Sequence, residues 1–178
     1  MKIFINRRMI SGPWGGGNVF VNALFRYAPL FDCDVTNVLT ADVDIIHLQD
    51  HHRDSLGIDA DTALSFCKSH PHCKLVHRVN DMDLGRYGVA PWRVDAYCKY
   101  SSNLALAIFV SDWTKEFYLA QPNWSCANNI VVVNGVDAEI FKPADKINNG
   151  KINIVTHHWS PNSGKGSSIY KQLDDFVS

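Results

Sequence analysis

Strands that alternate with helices along the chain predict an α/β fold: a Rossmann-like parallel sheet with helices on both faces. Three observations carry this. Short apolar runs at 2–6, 43–48, 74–79, 104–110 and 130–133 have the length and composition of strands buried on both sides. The segments between them repeat apolar residues at helical spacing. A turn rich in glycine separates the first run from the first helix, as in folds that bind a ligand at the sheet edge.

The elements follow in order. The run KIFIN at 2–6 is the first strand. Residues 11–18, SGPWGGGN, read as irregular structure because of their glycines and proline. Phe20, Val21, Leu24, Phe25 and Ala28 then form one apolar helical face, and Pro29 lies near its end. A short strand at 34–39 is the weakest of the set. VDIIHL at 43–48 is a strand, and 59–69 is a helix closed by Pro71. KLVHRV at 74–79 is the next strand, and 91–102 is helical. The most apolar run, 104–110, is expected at the centre of the sheet. Ser111 or Asp112 caps a helix that runs to about Ala120. The β-branched run at 130–133 completes the first domain's strands. After a linker the pattern restarts with a strand at 151–156 and an amphipathic helix at 167–177. One strand and one helix cannot bury their own apolar faces. They either pack back on the first domain or open a second one.

Composition narrows the function. The chain has 178 residues, 46% hydrophobic and 20% charged, which excludes a disordered or fibrous protein. Lys+Arg number 17 and Asp+Glu 18, so no positive excess points to nucleic acid or an anionic membrane. Five cysteines at irregular spacing fit reduced thiols in a cytoplasmic protein. The opening MKIFINRRMI is not a signal peptide, because its apolar run is short and its arginines follow it. No apolar stretch reaches the roughly 18 residues of a membrane span.

Several segments have the chemistry of a ligand site. Gly15, Gly16 and Gly17 expose backbone N–H groups where a helix begins, which suits an anion or a sugar hydroxyl. Their spacing matches neither GxGxxG nor a P-loop, and a mobile loop accounts for them equally well. Asn80, Asp81 and Asp83 follow a strand at the edge where parallel sheets bind ligands. Asn80 and Asp81 suit hydroxyl recognition, and Asp81 or Asp83 proton transfer, but plain strand termination explains them better. Cys67, His70, His72, Cys73 and His77 crowd into eleven residues, but without zinc spacing, and read as unligated. The run NGVDAEIFKP at 134–143 is a turn, with Phe141 expected to anchor it on the core. The loop THHWSPNSGKG at 156–166 ends with Lys165 at a helix start, which suits a diphosphate or a solvated lysine equally.

In this order the segments resemble the retaining nucleotide-sugar glycosyltransferases of family 4, which have the two-domain GT-B fold. The resemblance rests on MKIFINRR followed by GPWGGGN, then LALAIFVSDWTKEFYL, IVVVNGVDAEIFKP and INIVTHHWSPNSGKG, in register over the whole chain. It implies a GT-B N-terminal, acceptor-side domain at 1–143, a linker at 144–150 and the beginning of a donor-side domain at 151–178. Gly15, Gly16 and Gly17 would reach the donor phosphates, and Lys165 would bind the diphosphate. Where the family usually carries an arginine before that lysine, this chain has His157 and His158, so His158 stands for the missing cation. Asn80 falls where many members have histidine, with Asp81 after it; Asn80 hydrogen-bonds a hydroxyl but cannot take a proton.

The resemblance further implies transfer of a sugar to an unidentified acceptor with retained configuration, without metal or other cofactor. The family's E-x7-E element lies beyond residue 178. The intact enzyme is therefore expected at about twice this length, and the chain alone is expected to be inactive. The alternative is a non-catalytic carbohydrate- or nucleotide-binding module derived from such an enzyme. A more distant alternative is an unrelated Rossmann-like nucleotide-binding protein.

Overall fold

The computed structural model describes residues 1–12, 15–49, 58–80, 92–143, 150 and 167–177. The chain divides into two compact units, Met1–Asn134 and Gly135–Ser178.

The first unit is built on a six-stranded, all-parallel sheet. Its strands are β1 (Lys2–Ile5), β2 (Asp34–Thr36), β3 (Ile45–Leu48), β4 (Lys74–Val79), β5 (Leu106–Phe109) and β6 (Asn129–Val131). They lie in the order β2-β1-β3-β4-β5-β6. The helices are α1 (Gly15–Tyr27), α2 (Ala60–Ser69), α3 (Trp92–Ser101) and α4 (Asp112–Leu119). This is the α/β, Rossmann-like architecture expected from the alternating pattern. The run at 104–110 forms an interior strand, β5, but the centre of the sheet is β3 and β4.

Side chains alternate across each strand, so each strand serves two cores. Phe4, Ile46, Leu48, Leu75, Val79, Ala107 and Phe109 face one side. There they meet Ala60 and Ala63 of α2, Val94 and Tyr97 of α3, and Tyr118 of α4. Ile5 and Val35 face the other side and pack with Val21 of α1 and Ala28. Tyr118 sits among Tyr97, Phe109 and Trp124, with ring centroids 5.3–5.9 Å apart. These are favourable tilted aromatic contacts.

Local chemistry sets the helix starts. Asp59 caps α2 by accepting the Thr62 N–H at 2.8 Å. Ser111 caps α4, its Oγ accepting the Thr114 N–H at 3.1 Å. Pro29 stops α1, and the chain leaves through a 3-10 turn, Ala28–Phe31.

Within the second unit, α5 (Ser167–Val177) covers the span expected to be helical. Ile169, Tyr170, Leu173 and Phe176 are exposed. The strand expected at 151–156 lies outside the described residues. Phe141 does not anchor the turn it was expected to anchor, being 68% exposed. Asp137 holds that turn instead. Its carbonyl accepts the Phe141 N–H at 2.9 Å, and its carboxylate accepts the Glu139 N–H at 2.9 Å.

Replacing Ser111 by alanine removes the cap of α4 and is expected to cost about 1 kcal/mol. Ser111→Gly is expected to cost only a few tenths. Urea unfolding of both variants checks the ranking.

Candidate functional site

The strand order creates the site. From β1 the chain passes through α1 to β2 on one side of the sheet. Later connections run the other way, through β3, β4, β5 and β6. The crevice between the C-terminal ends of β1 and β3 is the switch point, where open α/β sheets take their ligands.

Asparagines fix the chain there. Asn6, fully buried, accepts the Gln49 N–H at 2.8 Å and donates to the Ile58 carbonyl at 3.1 Å. The exit of β1 is thereby tied to the exit of β3 and the entry to α2. Asn37 donates to the carbonyls of Ile5 (2.8 Å) and Arg7 (3.0 Å), fixing the backbone under Arg7. Asn18 of α1 exchanges two hydrogen bonds with the Ile10 backbone, at 2.9 and 2.6 Å.

The three glycines are not a loop ahead of α1, as their composition suggested, but its first turn. First-turn N–H groups have no intrahelical partner, so glycine's weak helix propensity matters least there. Gly15 enters at φ +79°, a left-handed conformation that side chains disfavour. Gly17 serves close approach. A Cβ on it would lie 3.1 Å from Arg7 Nη1 and 3.6 Å from Gln49 Nε2. Gly16 faces open space.

A row of polar groups crosses the strand ends beneath this turn. The register that pairs Ile5 with His47, and Leu48 with His77, continues to Arg7 beside Gln49 and Gln49 beside Arg78. Register neighbours in a parallel sheet share a face, here the face of α1. Gln49 is 2% exposed, and neither its Nε2 nor its Oε1 has a hydrogen-bond partner among the described residues. Arg78 is 5% exposed. Its guanidinium lies 4.2 Å from the centre of the Phe20 ring and donates to the Asn134 side chain. Among the described residues the ion pairs are Lys2 with Asp42 and Lys99 with Asp61, so neither Arg7 nor Arg78 has a carboxylate. Burial lowers the Arg78 pKa from its ordinary value. His47 stacks on Phe20 at 5.5 Å. Its own burial, and then the charge of Arg78, push its pKa down to about 4.

Of the residues expected to form the site, Gly15, Gly16 and Gly17 lie at the switch point. Asn80 follows β4 at the same edge, with its side chain exposed. Asp81, His158 and Lys165 lie outside the described residues. Asn134, read as a turn residue alone, also holds Arg78. Arg7, His47, Gln49 and Arg78 were not foreseen. The visible signal was an arginine inside the otherwise apolar strand KLVHRV.

The crowded Cys/His segment is occupied by packing. His77 meets Tyr97 and Tyr100 on the sheet face opposite Arg78, and His70 stacks on Phe66 at 4.1 Å. Burial pushes the Cys73 thiol up to about 12 and raises Cys67 as well, so both are protonated near neutrality. Among the described residues no three His, Cys, Asp or Glu side chains are grouped to hold a metal ion. No helix among them is long and apolar enough to cross a membrane.

Comparison with family models, curated proteins and solved structures finds no match to this chain.

Two predictions arise here. His47 is neutral when folded and titrates near its ordinary pKa when unfolded. The unfolded chain therefore binds more protons between about pH 6.5 and 4, and stability falls as the pH falls through that window. The expected loss is about 3 kcal/mol, complete near pH 4. Denaturant unfolding at several pH values checks it, and His47→Phe is expected to flatten the dependence. Gly17→Ala is expected to leave stability unchanged or raise it by up to about 1 kcal/mol, because the crowded neighbour is a flexible guanidinium tip. Thermal unfolding of that variant tests the sign.

Proposed function

We propose that residues 1–143 form the acceptor-side domain of a retaining nucleotide-sugar glycosyltransferase. The observation that carries the reading is the glycine turn opening α1 at the switch point. The first-turn N–H groups and the positive end of the helix dipole favour an anionic leaving group. The order of the sequence motifs supplies the reaction class. On this reading, Gly15, Gly16 and Gly17 bind the donor diphosphate, and the resemblance adds His158 and Lys165 as its cationic ligands.

The chemistry required is modest. The bond from the anomeric carbon to the diphosphate oxygen breaks as the acceptor hydroxyl attacks from the same face, and the hydroxyl proton passes to the departing phosphate oxygen. The stabilisation needed is that of developing negative charge on the leaving group, which fixed dipoles and cations provide without a metal. Asn80 would orient a hydroxyl and hold no proton. That same property favours a second reading, a module that binds nucleotide or sugar without turnover.

The test is titration of UDP and GDP into the chain, followed by amide resonances. Weak saturable binding centred on Gly15, Gly16 and Gly17 is expected. Gly16→Glu places a carboxylate at the helix N-terminus, where it favours the helix and opposes a second anion. It is expected to weaken diphosphate binding at least tenfold while thermal stability is kept. Tight NAD binding with no response to UDP or GDP would defeat the proposal in favour of an unrelated nucleotide-binding fold. Sugar transfer to a hydroxyl acceptor separates the enzyme from the binding module.

A further inference from the structure

A buried guanidinium without a carboxylate is a costly arrangement. Buried charges are normally paired, and a buried amide normally satisfies both of its ends. The row beneath α1 breaks both rules at adjacent positions. Arg78 is 5% exposed and bonded to a neutral amide side chain; Gln49 is 2% exposed, with both amide atoms unsatisfied among the described residues. Arg7 completes the row, its guanidinium against Gly17 and free of any carboxylate among the described residues. The positive end of α1 adds to the same field. Among the described residues, two cations, an amide donor and a helix N-terminus lack one thing in common, an anion.

The surroundings limit its size. Phe20 lies one helical turn beyond Gly17 on α1, about 4.5 Å along the axis. Phe20 stacks on His47 and lies against Arg78, so an apolar ring backs the deeper end of the row. A planar guanidinium fixed on a ring face and held by Asn134 is arranged for bidentate contact with a carboxylate or phosphate. The glycine N–H groups lie at the helix mouth, and Gln49 and Arg78 lie on the strands beneath. A compact anion suits the strand row, and an extended diphosphate suits the mouth.

We propose that Arg7, Gln49 and Arg78 form a binding site for a compact anion, a phosphate monoester or carboxylate, carried by the acceptor. That the anion belongs to the acceptor rests on the transferase reading; that the row binds an anion does not.

The chain is titrated with inorganic phosphate at low ionic strength, and with a neutral methyl glucoside for contrast, both followed by amide and side-chain resonances. Saturable phosphate binding in the low millimolar range is expected, with shifts at Gly17, Gln49 and the Arg78 guanidinium. Arg78→Leu and Gln49→Leu are each expected to weaken it at least tenfold. Their melting temperatures are expected to stay equal or rise, because each change removes a buried polar group with too few partners. Phosphate binding that never saturates, or that both folded variants retain, overturns the proposal.

UDP and GDP titrated into the same variants keep the two readings apart. Diphosphate binding kept in Arg78→Leu, with phosphate binding lost, supports an acceptor site separate from the donor. Loss of both in that variant makes the row part of the donor site and overturns the acceptor assignment. Phosphate binding without any diphosphate binding upholds the anion site and removes the transferase reading. Diphosphate binding without phosphate binding overturns the anion site alone.

Discussion

Asn6 is the contact on which the site geometry depends. It is fully buried and stands where β1 ends and its neighbours β2 and β3 lead to different sides of the sheet. Its carboxamide joins the Gln49 N–H to the Ile58 carbonyl, so one side chain sets the spacing between β1, β3 and the entry to α2. A carboxylate could not replace it, because one end must accept and the other donate. Leaving either backbone group unpaired costs about 1–3 kcal/mol. The two asparagines beside it hold the next turn of chain against α1 and under Arg7. Backbone strain is therefore not required to aim the site; amide hydrogen bonds aim it.

On that frame the electrostatics are unfavourable to folding in a consistent direction. Arg78 is desolvated with no carboxylate paired to it among the described residues, and His47 beside it is kept neutral. Gln49 forgoes bonds that water would supply to it in the unfolded chain. Folding alone would select apolar residues at these positions, as it does at Ile46 and Leu75 in the same strands. Polar groups kept where they destabilise the unliganded state are the usual signature of a site arranged for something else. The compensation lies on the opposite sheet face, where Tyr97, Tyr118 and Phe109 bury large rings in one cluster.

The strands and helices were legible because a parallel sheet demands apolar runs of strand length separated by amphipathic segments. The cap at Ser111 was legible because a hydroxyl before a helix has a specific job. The glycines were misread by one turn. Composition weighs glycine against helix without knowing that a first turn asks little of it. Phe141 failed for a different reason: an aromatic in a turn signals burial only if a core lies beneath it. The row of Arg7, Gln49 and Arg78 could not be assembled from spacing at all. Its members stand far apart in sequence and meet only because β1, β3 and β4 are neighbours in the sheet. Within β4, alternation shows that Arg78 and His77 face opposite ways, but not which face carries a ligand.

Charge shows most plainly why global properties fail here. The chain is nearly neutral, with net charge −1, and on composition alone has no reason to attract an anion. Recognition depends on the local field, and a field is strongest where charges are desolvated and fixed. Among the described lysines and arginines, the one that matters most is the one buried from solvent screening, Arg78 on the Phe20 ring. A solvated lysine on the far side of the sheet adds equally to the net charge and almost nothing to the site. An arginine in the middle of an apolar strand is thus a better indicator of ligand charge than the isoelectric point, because only a partner of opposite sign makes its burial favourable.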